Sequence, residues 1–200
     1  MHATNLLVLV FIPASVLGDE SRLPLPLKCL REYKKVVSLI GGEDEHCLRL
    51  QLIANCFSER PDDSDAVLDD MRYLFTQELL FVKKLAICPD VDFAELKKIT
   101  DKTDVAQKHK YLDSVDEDHW EECAATVHKT CIKKYLSLLR DGKLCNDVDA
   151  WIDCYDEEAK RASCSAVILD HFQKMLKVVG KSVVKSIRRF MGAECSKTEL

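Results

Sequence analysis

Ten cysteines, the first at residue 29, constrain what this chain can fold into more than any other feature. They are Cys29, Cys47, Cys56, Cys88, Cys123, Cys131, Cys145, Cys154, Cys164 and Cys195. The number is even, and no Cys-x-x-Cys or His-x-x-x-His pair offers zinc-site spacing, so the pattern predicts five disulfides and an oxidising compartment. Ahead of them, "LLVLVFI" is an apolar run too short to span a bilayer, followed by Pro13 and small residues. Residues 1–18 read as a secretory signal peptide cut after Gly18, and no transmembrane segment is expected elsewhere. The 34 acidic and 29 basic residues give a net charge of -5, which argues against a nucleic-acid partner. No Asn-x-Ser/Thr triplet occurs, so no N-glycan is expected.

The pattern is helical almost throughout, and part of it is written twice. "CLREYKKVVSLIGGEDEHCLRLQLIANCF" (29–57) and "CIKKYLSLLRDGKLCNDVDAWIDCY" (131–155) both open with Cys-x-x-x-Tyr. Both run into a glycine and close on two cysteines with an aromatic after the second. Apolar residues three and four apart predict helices on either side of each glycine turn. A third helix is expected from about residue 66 to Cys88, stopped by Pro89, and its counterpart from 164 to about 192. "VDFAELKKIT" predicts a short helix, and the polar stretch after it a linker with a helical turn or two. The expectation is an all-α, disulfide-rich fold of two pseudo-repeated three-helix units packed together. Residues 19–113 form the first unit plus linker and 114–200 the second, both within one compact domain.

Helix geometry narrows the pairing, because residues equally far from a hairpin turn sit level at about 1.5 Å rise per residue. Cys29 and Cys56 flank the first glycine turn at similar distances, as Cys131 and Cys154 do the second. Cys123 and Cys164 form a further level pair. Cys47 then falls to Cys88 and Cys145 to Cys195. Each of these two pairs needs a bend in the third helix, with Gly180 a candidate hinge in the second unit.

The run "C-NDVDAWID-C-YDEEAKRAS-C", followed by a helix ending in one more cysteine, resembles the C-terminal half of a family of small arthropod hemolymph glycoproteins. A similar secreted cysteine-rich family occurs in nematodes. The resemblance covers Cys145 to Cys195 best and the "GGEDEHC" region loosely. It implies a secreted helical protein of an invertebrate with no established enzymatic activity.

Chemistry is sparse. His46, His109, His119, His128 and His171 lack catalytic spacing, and solvated helix histidines are expected. "DSVDEDHWEEC" (113–123) is acidic but lacks the order and glycine of a calcium loop, so no metal is expected. Between His171 and Gly192 there are six basic residues and no acid. Lys174, Lys177, Lys181, Lys185, Arg188 and Arg189 fall on one arc of that helix, a candidate surface for an anionic protein, glycan or lipid partner. The plainer reading is a solvated face satisfied by acids on neighbouring helices. Val82, Leu85, Trp151, Ile152 and Phe172 are candidates to line a cavity for a small hydrophobic ligand, against the plainer reading of ordinary core. The terminal "KTEL" resembles a luminal retention signal. The sequence thus predicts a non-enzymatic secreted binding or interaction protein without a cofactor. The alternatives are a carrier of a small hydrophobic ligand or lipid, and a protein retained in the endoplasmic reticulum.

Overall fold

The computed structural model describes residues 23–39, 45–115, 121–140 and 144–190. Those residues are helical with no strand among them. The order is α1 Leu25–Leu39, α2 His46–Phe57, α3 Ala66–Lys84, α4 Ala94–Thr100, α5 Asp104–Lys108, α6 Glu122–Arg140, α7 Leu144–Arg161, α8 Val167–Met175 and α9 Lys181–Phe190. A 3-10 turn at Leu112–Ser114 precedes α6, and a π-helical turn, Leu176–Gly180, joins α8 to α9. Four disulfides tie the elements: Cys29–Cys56, Cys47–Cys88, Cys123–Cys164 and Cys131–Cys154. Cys195, the expected partner of Cys145, lies outside the described residues, as do the leader, the two glycine turns and the KTEL tail.

The architecture is organised by α3. It packs on α1, α2, α4, α5, α8 and α9, so both halves of the chain share one apolar core. Met71, Tyr73, Leu74, Leu79, Phe81 and Val82 are buried around its whole circumference. An all-round apolar helix belongs at the centre of a fold rather than on its surface. Its N-terminus is capped by Asp65, whose Oδ1 accepts from the amides of Val67 and Leu68, both at 2.9 Å. Two turns further on, the buried Arg72 donates to the carbonyls of Phe57, Glu59, Arg60 and Asp63 at 2.6–3.0 Å. A single guanidinium thereby binds four carbonyls at the end of α2 and in the following turn, of which Arg60 O also accepts from Asp63 N.

The third helix ends earlier than its sequence pattern suggests. α3 stops at Lys84, not at Cys88, because Ala86 takes a left-handed conformation (φ 51°). The amide of Ala86 donates to Lys83 O and that of Ile87 to Val82 O, both at 2.9 Å, which closes a Schellman cap. The cap turns the chain so that Cys88 reaches Cys47, the bend that the pairing required. α7 ends in the same way at Ser163 (φ 50°), where Cys164 N bonds Ala159 O at 2.9 Å one residue past the turn. In the second half, the single long helix expected from 164 to 192 is instead divided into α8, the π turn and α9. A Cβ at Gly180, where the π turn ends, would come 3.2 Å from Ile152 Cδ1, so glycine is what lets the turn lie against α7.

The short helix expected in "VDFAELKKIT" is α4, which buries Phe93, Leu96 and Ile99. The polar stretch after it, expected to be a linker, continues as a strap over α3 with Leu112 and Val115 buried. The Thr76 and Thr100 hydroxyls lie 2.9 Å apart, and Tyr73 Oη donates to His109 O at 2.8 Å. Gln77 accepts from Leu112 N and donates to Asp113, while Lys84 donates to Val115 O. Polar composition misleads here because these groups are satisfied by α3 rather than by water.

Ala86 and Ser163 are exposed and hold a conformation that costs an L-residue about 1 kcal/mol relative to glycine. Ala86→Gly and Ser163→Gly are therefore expected to raise stability by about 0.5–1 kcal/mol each in urea unfolding. A loss of stability from either would contradict the caps described.

Candidate functional site

The two tyrosines of the repeated Cys-x-x-x-Tyr pattern, Tyr33 on α1 and Tyr135 on α6, line one crevice. Leu30 joins Tyr33 from α1; α3 contributes Leu74, Phe75 and Glu78. From the other half come Trp151 of α7 and Val183 and Ile187 of α9. Five helices from both halves thus meet around a space of about 50 Å³, room for a few water-sized groups. The aromatic rings are held in place by packing: Tyr135 lies 5.5 Å from Trp151 between centroids, and Trp151 meets Tyr155 edge-on.

Glu78 is the ionisable group of this crevice that matters most. It is 6 % exposed. The other buried polar side chains of α3, Arg72, Thr76 and Gln77, all have partners. Glu78 has no hydrogen bond or ion pair with any other described residue. Burial alone pushes its carboxyl up to about 7. Tyr33, which is hydrogen-bonded to Arg49 of α2, is raised by burial and then by the nearby Glu78 charge. Ionising Glu78 in place costs on the order of 3 kcal/mol, taking the shift at about 1.4 kcal/mol per unit.

Behind the crevice lies a buried polar chain. His46 Nε2 of α2 and His128 Nε2 of α6 are 3.2 Å apart, and His128 Nδ1 is 2.9 Å from Tyr155 Oη. One ring must donate and the other accept, so the two cannot both be imidazolium, and burial favours the neutral form of each. Desolvation holds His46 down to about 4, with Arg49 adding to the effect, and it holds His128 well below the usual histidine value. The expectation of solvated histidines is thus corrected for His46 and His128, which are buried and paired. Their pairing joins residues 82 positions apart, a separation at which sequence spacing carries no signal. His171 Nδ1 lies 2.7 Å from Tyr111 O, and His109 stacks on Tyr111.

Of the residues expected to line a cavity, Trp151 lines this crevice. Val82, Leu85, Ile152 and Phe172 are packed core, with Phe172 stacked on Phe81 at 4.1 Å between centroids. The basic stripe divides. Lys174 pairs with Asp170 (2.7 Å), Lys177 with Asp156 (2.6 Å) and Arg188 with Asp149 (2.5 Å). Lys181, Lys185 and Arg189 are exposed and make no ion pair with another described residue. Part of the acidic run 113–123, residues 116–120, lies outside the described residues. No group of three or more metal-ligating side chains occurs among the described residues, and no helix there is long and apolar enough to cross a membrane.

Nothing in the comparisons with protein-family models, curated proteins and solved structures matches this chain. The four disulfides suit the extracellular space or the secretory pathway.

The pH behaviour follows from opposed shifts. A raised carboxyl binds its proton more tightly when folded, so Glu78 subtracts stability as pH rises from about 4.5 to 7. Lowered histidines do the reverse: their contribution is lost as pH falls from about 6.5 toward 4. The stability of Glu78→Gln relative to the parent is therefore expected to grow by about 2–3 kcal/mol from pH 5 to pH 8 in urea unfolding. An equal difference at both values would mean that the Glu78 carboxylate is already compensated inside the fold.

Proposed function

We propose that the protein is a secreted, non-enzymatic binding protein that holds a small, largely apolar ligand in the crevice between Tyr33 and Tyr135. The observation that carries this reading is the convergence of five helices from both halves on a space lined mainly by apolar and aromatic side chains, with one buried carboxyl on its wall. Five disulfides would keep such a scaffold intact in extracellular fluid. The resemblance of the cysteine spacing to arthropod hemolymph proteins supports the same setting. At about 50 Å³ the crevice takes a head group or a short stem rather than a whole lipid. A small-ligand carrier is therefore the form of binding protein favoured over a lipid carrier. The alternative residence, the lumen of the endoplasmic reticulum, depends on the KTEL tail.

Native mass spectrometry of the protein purified from a secreting host is expected to show a bound small molecule that Val183→Phe, with the crevice filled, does not carry. A parent that, like the variant, shows only the mass of its own polypeptide would remove the crevice as a ligand site.

A second reading concerns the outer face of α9, where Lys181, Lys185 and Arg189 stand exposed. If they meet an anionic partner, changing all three to Gln is expected to abolish salt-sensitive retention on heparin, since such contacts are screened within about 8 Å at physiological ionic strength. Unchanged elution would leave them as a solvated face.

A further inference from the structure

We infer that the crevice takes the head group of a small organic amine, a protonated amine on an apolar stem, with the carboxylate of Glu78 as its counter-charge. This rests on the reading of the crevice as a ligand site and specifies the chemical class of that ligand. The carboxyl is buried and lines the space, yet no described residue donates a hydrogen bond to it or pairs with it. A carboxylate so largely removed from water ordinarily has a charge or hydrogen-bond partner, and this one faces the open crevice. An ammonium group supplies both the donor and the opposite charge. A carboxylic acid or phosphate would be repelled once Glu78 is ionised. An alcohol supplies a donor but leaves the charge uncompensated.

The walls agree with a cation. Tyr33, Phe75, Tyr135 and Trp151 line the same crevice as Glu78, and aromatic rings attract a desolvated ammonium. The remaining wall, including Val183 and Ile187, accepts only carbon. A space of about 50 Å³ admits an ammonium and a few methylenes, which limits the portion of the ligand enclosed. A bare metal ion is a poor alternative, since hard cations take several oxygen ligands and Glu78 is the single carboxylate on these walls.

Binding should depend on pH in a definite direction. The titratable groups around Glu78 are Tyr33 of α1, hydrogen-bonded to Arg49 of α2, Tyr135 of α6 and Tyr155 of α7, while α9 presents only apolar residues to the crevice. The tyrosines Tyr33 and Tyr155 are held neutral by burial. Glu78 is thus the group that changes charge between pH 5.5 and 8, a range in which an aliphatic amine stays protonated.

The test uses the full disulfide-bonded chain and three four-carbon probes, n-butylamine, n-butanol and butyrate, titrated by calorimetry and by tryptophan fluorescence. Butylamine is expected to bind with a Kd of order 0.1–1 mM, as suits a five-heavy-atom ligand. It should bind at least tenfold tighter than the other two, and at least tenfold tighter at pH 8 than at pH 5.5. Glu78→Gln should lose that preference. Equal binding of butanol and butylamine, unchanged in Glu78→Gln, would overturn the amine assignment and leave the crevice as an apolar ligand site. Binding of none of the three would overturn the assignment too, and the crevice itself would then be judged by the mass comparison with Val183→Phe. If Glu78→Gln does not fold, the parent's pH dependence decides: butylamine affinity that is flat between pH 5.5 and 8 overturns the inference.

Discussion

The burial of α3 on every side is the constraint on which the rest of this structure depends. A helix surrounded by other helices has no route to water for its polar groups, so each must find a partner within the fold or remain without one. Arg72 closes the carbonyls of the α2–α3 turn, Thr76 meets Thr100, and Gln77 holds the backbone of the strap at Leu112. These contacts determine where the strap runs and how α2 enters α3. Glu78 is the remaining buried polar residue of the same helix and lacks such a partner, which sets it apart from structural polar residues.

The disulfides and the caps act together. A bridge constrains the unfolded chain by about 3–4 kcal/mol for loops of this length in the chain-entropy model, but it forms only where two Cα atoms come within reach. Cα separations of 5.4–5.7 Å are met at all four described bridges. At Cys88 and Cys164 the approach is arranged by a left-handed residue just upstream, Ala86 in one case and Ser163 in the other. The backbone strain at those two residues is small beside the constraint that the bridges supply.

Buried ionisable groups of opposite tendency lie close together at the centre. The His46–His128–Tyr155 chain is neutral because burial disfavours imidazolium, and Glu78 is pushed toward neutrality by the same desolvation. The histidines satisfy one another across α2 and α6 and so have a structural role. The carboxyl differs in facing a space that another molecule can enter. This difference, rather than the size of the shift, is what makes Glu78 the functional candidate of the molecule.

Helical character and the level placement of cysteines were determined by the sequence alone, because each depends on local periodicity and a constant rise per residue. Cys29–Cys56, Cys131–Cys154 and Cys123–Cys164 are legible for that reason, and Tyr33 and Tyr135 stand out through the repeated pattern that precedes them. What tertiary structure decided is which residues lose contact with water. The 101–115 segment looks like a polar linker until α3 supplies its partners. The end of α3 at Lys84 depends on an alanine in a conformation that no alanine announces. The stripe on α8 and α9 looks continuous until Asp149 and Asp156 of α7 neutralise part of it. Glu78 reads as an ordinary helix acid, and only the convergence of five helices removes its solvent, because desolvation is a property of everything packed around a residue and not of its neighbours in the chain.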